Sequence, residues 1–292
     1  MVRSERFAEL ERWQLTVAYD GRGFWGSQRQ AARRSVQGEL EAALTDLTGT
    51  EGEAVFAGRT DRGVHAVGQA VSYPVVGPAL TATRLQRAVN ARLPPDLAVV
   101  GVRRRPVGFH ARYDAKWREY RYRVWCGSPQ PLASHLVWQR ARELDLPAMD
   151  AAAKALLGRH DFAAFAGGGE GVPWSSRRDR ERGSVRRVMR CSVRAVPPWW
   201  GTAPDAAKAC YEIRVAADGF LPRMVRAITG ALVEIGRGAQ PDDWMTALLA
   251  AGDRRQGPPT APAHGLVLWR VGYDEEEPDA DAGSSMDDRT SG

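Results

Sequence analysis

The clearest periodicity in the chain runs from Trp13 to Tyr19, where Trp13, Leu15, Val17 and Tyr19 alternate with Gln14, Thr16 and Ala18. A period of two predicts a strand with one apolar face. Asp20-Gly21 ends it and opens a glycine-punctuated loop, DGRGFWGSQRQ. Ser35 then stands where a helix N-cap belongs, and Val36, Leu40, Ala43, Leu44 and Leu47 recur on one helical face up to a stop at Gly49. The pattern further predicts a strand over 53–57, a helix over 83–93 ended by Pro94-Pro95, and a strand over 97–102. The order β-α-β-α-β predicts an α+β arrangement, a split sandwich with a layer of helices on an open sheet.

A second set of elements follows. Residues 117–126 alternate, with Tyr120, Tyr122, Val124 and Cys126 on one face and Glu119, Arg121 and Arg123 on the other. Helices are predicted over 149–157, 220–235 and 242–250, and strands over 185–196, 210–216 and 266–271. Two αβ units joined near 111–116 fit the 292 residues, the first spanning 1–113 and the second 114–273. No self-similarity marks a duplication. The Gly/Ser/Arg-rich stretch 167–183 and the stretch 197–208, which opens with Pro197-Pro198-Trp199-Trp200, read as surface insertions. The acidic tail 274–292 reads as disordered.

Composition narrows the class. Hydrophobic residues make up 43% and charged residues 26%, as in a globular protein, and no apolar run is long enough to cross a bilayer. The N-terminus interleaves charges with apolar residues, unlike a signal peptide, and the expected location is the cytoplasm. Cys126, Cys191 and Cys210 are far apart, which argues against a disulfide framework or a thiolate zinc site. The net charge of +6 conceals a division: the tail from Asp274 carries eight acids and one base, so the rest of the chain is +13. All but three of the 41 bases are arginine, whose planar fork suits phosphates and whose face stacks on bases. A GC-rich genome and an anionic polymer partner account for this composition equally well.

The densest candidate for chemistry is AGRTDRGVHA, residues 57–66, directly after a predicted strand. Asp61 lies between Arg59 and Arg62, and neighbouring guanidiniums favour the anionic carboxylate that a nucleophile or base requires. On physics alone an ordinary turn with a surface ion pair is the better account of the same residues, since Asp and Gly fill turns everywhere. His65 could carry protons, although a lone histidine between Val64 and Ala66 is more often packed. The five histidines are scattered, so no metal is expected. GxxxxGK[ST], strand-linked GxGxxG and GxSxG are all missing, leaving nucleotide cofactors and the serine-hydrolase elbow unsupported. Tyr120 and Tyr122 could stack on an unpaired base, or pack in the sheet. Arg223 and Arg226 could meet a phosphate or pair with Asp61, or lie on a solvated helix face.

GRTDRGVHA resembles the GRTDxGVHA signature of the bacterial tRNA pseudouridine synthase I family, the A-type pseudouridine synthases. YDGRGFWGSQRQ, RSVQGELEAAL, VNARLPPDLAV, FHARYDAKWREYRY, DFAAF, GFLPRMVRAITGALVEIG and HGLVLWRVGY are similar to family blocks in the same order, over roughly residues 15–273. The resemblance implies the pseudouridine synthase fold: two ferredoxin-like, RRM-like αβ units forming a mostly antiparallel sheet, helices on one side, and an active cleft between the units. It implies isomerisation of uridine to pseudouridine at positions 38, 39 and 40 of the tRNA anticodon arm, without cofactor or metal, by a homodimer. On this resemblance Asp61 is the catalytic aspartate, Tyr120 the tyrosine that stacks on the target base, Arg226 the helix arginine that pairs with the aspartate, and Arg59 the residue that holds the target nucleotide flipped out. The chain departs from the pattern at Ser27, where tryptophan is usual, at Arg62, where alanine is usual, and at Pro222 and Arg223, where histidines are common. These departures bear on tRNA selection more than on reaction type.

Two rival readings follow from other classes. A non-catalytic tRNA-binding or remodelling module would keep the fold and the arginines, but binding alone needs no carboxylate facing a phosphate. A nucleoside or glycoside hydrolase would normally need a second catalytic carboxylate, and none is evident near Asp61.

Overall fold

The alternation that opens the chain becomes a strand, β1 (Arg12–Tyr19), whose residues Trp13, Leu15, Val17 and Tyr19 are buried. The computed structural model describes residues 10–76, 80–167, 183–198, 200 and 210–274. Helix α1 (Val36–Thr48) starts where expected: the Ser35 hydroxyl accepts the Gly38 N–H at 3.2 Å. It stops at Gly49, which takes the left-handed conformation (φ 66°) that closes a helix and costs least for glycine. Strand β2 (Val55–Phe56) is shorter than its pattern, while α2 (Ala82–Asn90) and β4 (Leu97–Arg105) lie close to theirs.

The second half contributes β5 (Trp117–Cys126), β6 (Trp138–Arg140), α3 (Leu146–Lys154), β7 (Gly158–Asp161), β8 (Val185–Ala195), β9 (Cys210–Ala217), α4 (Met224–Gly236), α5 (Trp244–Ala251) and β10 (Leu266–Gly272). Helix α4 begins later than its periodicity predicts, because Arg223 holds a left-handed conformation (φ 59°) that cannot continue a right-handed helix. β6 and β7 are too short to register as a period. The insertions 167–183 and 197–208 and the acidic tail fall almost wholly outside the described residues. Trp200, at the edge of the second, packs edge-on against Trp125 with ring centroids 5.3 Å apart.

The strand β3 (His65–Pro74) has no counterpart in the sequence pattern. All of it but Val67 and Gly68 is buried, so the apolar-polar alternation of a one-sided strand is absent. It pairs with β1 and β2 antiparallel and with β10 in parallel. The ten strands form one sheet in the order β4-β1-β3-β10-β5-β9-β8-β7, with β2 added on β3 and β6 on β5. All pairings are antiparallel except β3–β10 and β5–β6. The α+β class with a mostly antiparallel sheet is therefore observed.

Register defines one continuous face. Tyr19 lies opposite Ala66, Ala66 beside Leu268, Leu268 opposite Tyr120, Tyr120 opposite Val215 and Val215 opposite Cys191. The five helices among the described residues set their buried side chains into a single core with that face, among them Leu40, Leu85, Met149, Ile228 and Leu248. Each such leucine or isoleucine contributes about 1.5–3 kcal/mol. The face of β5 away from this core carries Glu119, Arg121 and Arg123, as the alternation predicts, yet Glu119 and Arg121 are buried as well. They form an ion-pair cluster with β9: Arg121 lies 2.8 Å from Glu119, and Glu212 lies 2.7 Å from Arg214 and 3.1 Å from Arg123.

A candidate active site in the central cleft

The loop after β2 carries residues 58–64 into a cleft of about 1180 Å³, and its backbone is tied down at nearly every step. Gln69, fully buried in β3, grips Gly58 with both ends of its amide: Nε2 donates to the Gly58 carbonyl at 2.7 Å and Oε1 accepts the Gly58 N–H at 3.4 Å. Arg118 donates to the Ala57 carbonyl at 3.0 Å and also to the carbonyls of Arg112, Ala115 and Asp218. Thr60 is held on three sides. Its N–H donates to Ser27 Oγ at 2.9 Å, its carbonyl accepts the Ser27 N–H at 3.1 Å, and its hydroxyl meets the Tyr19 hydroxyl at 2.8 Å. Burial pushes that Tyr19 hydroxyl up to about 12, so it stays neutral. Gly26 allows the close approach: at φ 108° its backbone lies so near that a Cβ would sit 2.9 Å from the Thr60 carbonyl.

Asp61 follows this clamped residue and projects into the cleft with 44% of its side chain exposed. The cation that meets it comes from 165 residues away: Arg226 Nη1, from the first turn of α4, lies 3.3 Å from Asp61 Oδ2. Arg226 is itself fixed, since its Nε donates to the Ala261 carbonyl at 2.7 Å. The adjacent Arg62 does not take that position; its guanidinium lies over the Trp25 ring. Arg59 is exposed on the cleft wall. Tyr120 also lines the cleft, packed edge-on against Phe220 at 5.1 Å between centroids. Burial first, and then nearby Tyr19, raise its hydroxyl pKa above the ordinary tyrosine range, leaving a neutral ring beside the carboxylate. Tyr122 belongs to the core instead, its hydroxyl donating to the Pro262 carbonyl at 2.9 Å. Arg121 and Arg123, on the opposite sheet face, do not flank Tyr120.

His65 is a packed residue. Its Nδ1 accepts the Gly21 N–H at 3.1 Å, which places the proton on Nε2, and Nε2 donates to the His135 carbonyl at 3.0 Å. Burial lowers its pKa, and it does not line the cleft. Among the described residues no three His, Cys, Asp or Glu side chains gather as a metal site, and no helix is long and apolar enough to cross a membrane. The three cysteines are buried thiols, pushed up by burial to about 11 for Cys126 and Cys210 and about 12 for Cys191.

The site thus joins Asp61, Arg226, Tyr120 and Arg59 around one cavity. Sequence reading missed the parts that hold them: Tyr19, Gln69 and Arg118. Each lies within a strand, and nothing in the order of residues indicates its partner.

Comparison with known proteins bears on what this cavity does. The tRNA pseudouridine synthase family profile matches residues 15–114 and 152–274. The chain belongs to the tRNA pseudouridine synthase family. It is 38% identical over 268 residues to tRNA pseudouridine synthase A of Geobacillus kaustophilus, covering 91% of this chain and 96% of that one. To tRNA pseudouridine synthase A of Solidesulfovibrio magneticus it is 43% identical, covering 90% and 92%, and to that of Thermus thermophilus 40% identical, covering 92% and 99%. As a tRNA pseudouridine synthase it is an isomerase, and both matched segments border the cleft: the first carries Asp61, the second Arg226.

Proposed function

We propose that this tRNA pseudouridine synthase isomerises uridines 38, 39 and 40 in the anticodon stem-loop of tRNA, with Asp61 as nucleophile. The observation that carries the reading is the half-exposed Asp61 carboxylate paired to Arg226 on the wall of a large cleft, beside the neutral ring of Tyr120. That wall carries eight arginines against the carboxylates of Glu53, Asp61 and Asp218, an excess suited to a phosphate backbone.

In this reading the Asp61 carboxylate attacks C1′ of the flipped nucleotide while the N1–C1′ electron pair leaves with the uracil. The base turns, C5 takes C1′ back from the carboxylate, the C5 proton is lost to solvent, and N1 is protonated. Nothing is oxidised or reduced, and neither water nor a cofactor enters the balance. Arg226 holds the carboxylate in line, Tyr120 stacks on the uracil, and Arg59 keeps the nucleotide out of its stack, an extrusion that costs a few kcal/mol. The wider reading takes 1–113 and 114–273 as two units facing across the cleft, with 274–292 as a tail. It also takes the active form as a cytoplasmic homodimer that spans its tRNA.

Tritium release from tRNA labelled at C5 of uridine tests the proposal, with wild type set against Asp61→Ala and the product mapped along the anticodon arm. Release by the wild type alone, at 38–40, supports it. Binding without release would make the protein a tRNA-binding module, and free uracil would make it a hydrolase.

A further inference from the structure

The tryptophan at the rim of the cleft is enclosed between two guanidiniums. Arg62 and Arg33 each lie 3.9 Å from the centre of the Trp25 ring, and two groups that close must occupy its opposite faces. The Trp25 backbone is fixed: its main-chain N–H donates to the Arg34 carbonyl at 2.9 Å, and its carbonyl accepts from Gln30 Nε2 at 2.9 Å. Arg62 and Trp25 line the cleft; Arg33 lies outboard of them on the same stack.

The chemistry of a stacked guanidinium differs from that of a paired one. Stacking uses the planar face and leaves the N–H donors along the edge free, whereas an ion pair consumes the edge. Nearby arginines show the second case: Arg22 is engaged by Asp20, and Arg34, although its face also lies over the Phe24 ring, has its edge taken by Asp96 and Glu39. Among the described residues, Arg33 and Arg62 have no such partner. Their donors are ordered but uncommitted, and they lead outward from the residue next to Asp61.

We infer that Arg62, Trp25 and Arg33 form a phosphate clamp that grips the tRNA backbone just outside the target nucleotide, with Trp25 acting as a post for the two cations and not as a platform for a base. The inference rests on the tRNA reading above and adds a binding site to it.

The test is the salt dependence of affinity for an unmodified tRNA transcript, measured for wild type, Arg62→Ala, Arg33→Ala and Trp25→Leu. Losing one phosphate contact should make the slope of log K against log salt shallower by about 0.7–0.9. Each arginine variant is expected to show that change and a several-fold rise in KM for tRNA. Trp25→Leu keeps both charges but removes the post, so it should weaken binding with little change of slope. Unchanged slopes in both arginine variants would overturn the clamp. Tighter binding by Arg62→Ala would also overturn it, because it would mean that a base displaces Arg62 from the ring. Wild-type affinity in Trp25→Leu would reduce the stack to two independent surface arginines. Tritium release by the wild type serves as the control: if it fails, the proposed reaction is at fault; if it succeeds while the slopes stay put, the clamp is.

Discussion

Strand β5 separates two populations of arginine. On the face away from the helices, Arg121, Arg123 and Arg214 gather around Glu119 and Glu212, and Arg121 and Arg214 are almost fully buried. On the cleft side, Arg62, Arg223 and Arg226 share a wall with Asp61, which lies 3.3 Å from Arg226. The residue type is the same, and the strand between the two regions is the same. In the first region charge is neutralised and shielded, so it serves to specify how β5 and β9 pair. In the second it lines an open cleft, where a polyanion can reach it. A surplus of +13 in composition cannot distinguish the two, and only the first population is tied to stability.

The largest effect should come from the cleft. Asp61→Asn is expected to lower the single-turnover rate of tritium release by about 10⁴-fold, the scale of losing a nucleophile, while tRNA affinity and the unfolding midpoint stay near wild type. Asp61 is half exposed, so the stability contributed by its pair with Arg226 should be at most about 1 kcal/mol. Next comes the opposite face. Glu212→Gln leaves buried Arg214 without its carboxylate and should cost about 3–5 kcal/mol in urea unfolding, with salt-dependent tRNA binding intact where the protein remains folded. If Glu212→Gln were neutral in stability, or Asp61→Asn strongly destabilising, the contrast between the two regions would collapse.

Smaller effects sharpen the picture. Ser27→Ala removes the acceptor for the Thr60 N–H, a buried bond worth about 1–2 kcal/mol. Because Thr60 precedes Asp61, the loss should appear as a drop of about tenfold in kcat with KM for tRNA little changed; an equal rise in KM would make Ser27 a tRNA contact instead. The smallest effect is on pH. Burial lowers the pKa of His65, His110 and His264, so the folded chain binds fewer protons than the unfolded one near their ordinary value. Stability from these groups is fully present above about pH 6.5 and is lost as pH falls through that value toward the folded values, a decline of a few degrees in Tm by pH 5.5. His65→Gln should flatten that decline. A Tm that rises on acidification would mean the histidines gain a charge partner on folding.

Much of the frame was legible because it is written in short-range chemistry. Ser35 and Gly49 bound α1 by satisfying helix-end groups within three or four residues, and the alternation in β1 and β5 needs no knowledge of neighbours. β3 was missed for the opposite reason: flanked on both sides and buried on both faces, it needs no polar alternation, and its one fully buried amide, Gln69, is meaningful only once Gly58 lies beside it. The start of α4 was misplaced because Arg223 takes a left-handed conformation that its own propensity does not favour, with its side chain packed against Gly167. In the site, the nine residues GRTDRGVHA drew attention to Asp61 and Arg59, and the spaced blocks around them to Tyr120 and Arg226.

What the sequence by itself determined, then, was the local grammar: the strands and helices that carry a period, the caps of α1, the class of fold, and the motif that marks the family. What only the tertiary structure decided was which partner each charged or polar group acquired. Asp61 has two arginines within two residues and meets neither of them by a resolved contact; it meets one from another half of the chain, while its neighbour Arg62 turns to Trp25. The physical reason is range. Backbone hydrogen bonding and hydrophobic period act over a few residues and leave their trace in order, whereas an ion pair or a stacked guanidinium acts through a few ångströms of space, and that proximity exists only after the sheet has brought distant strands together.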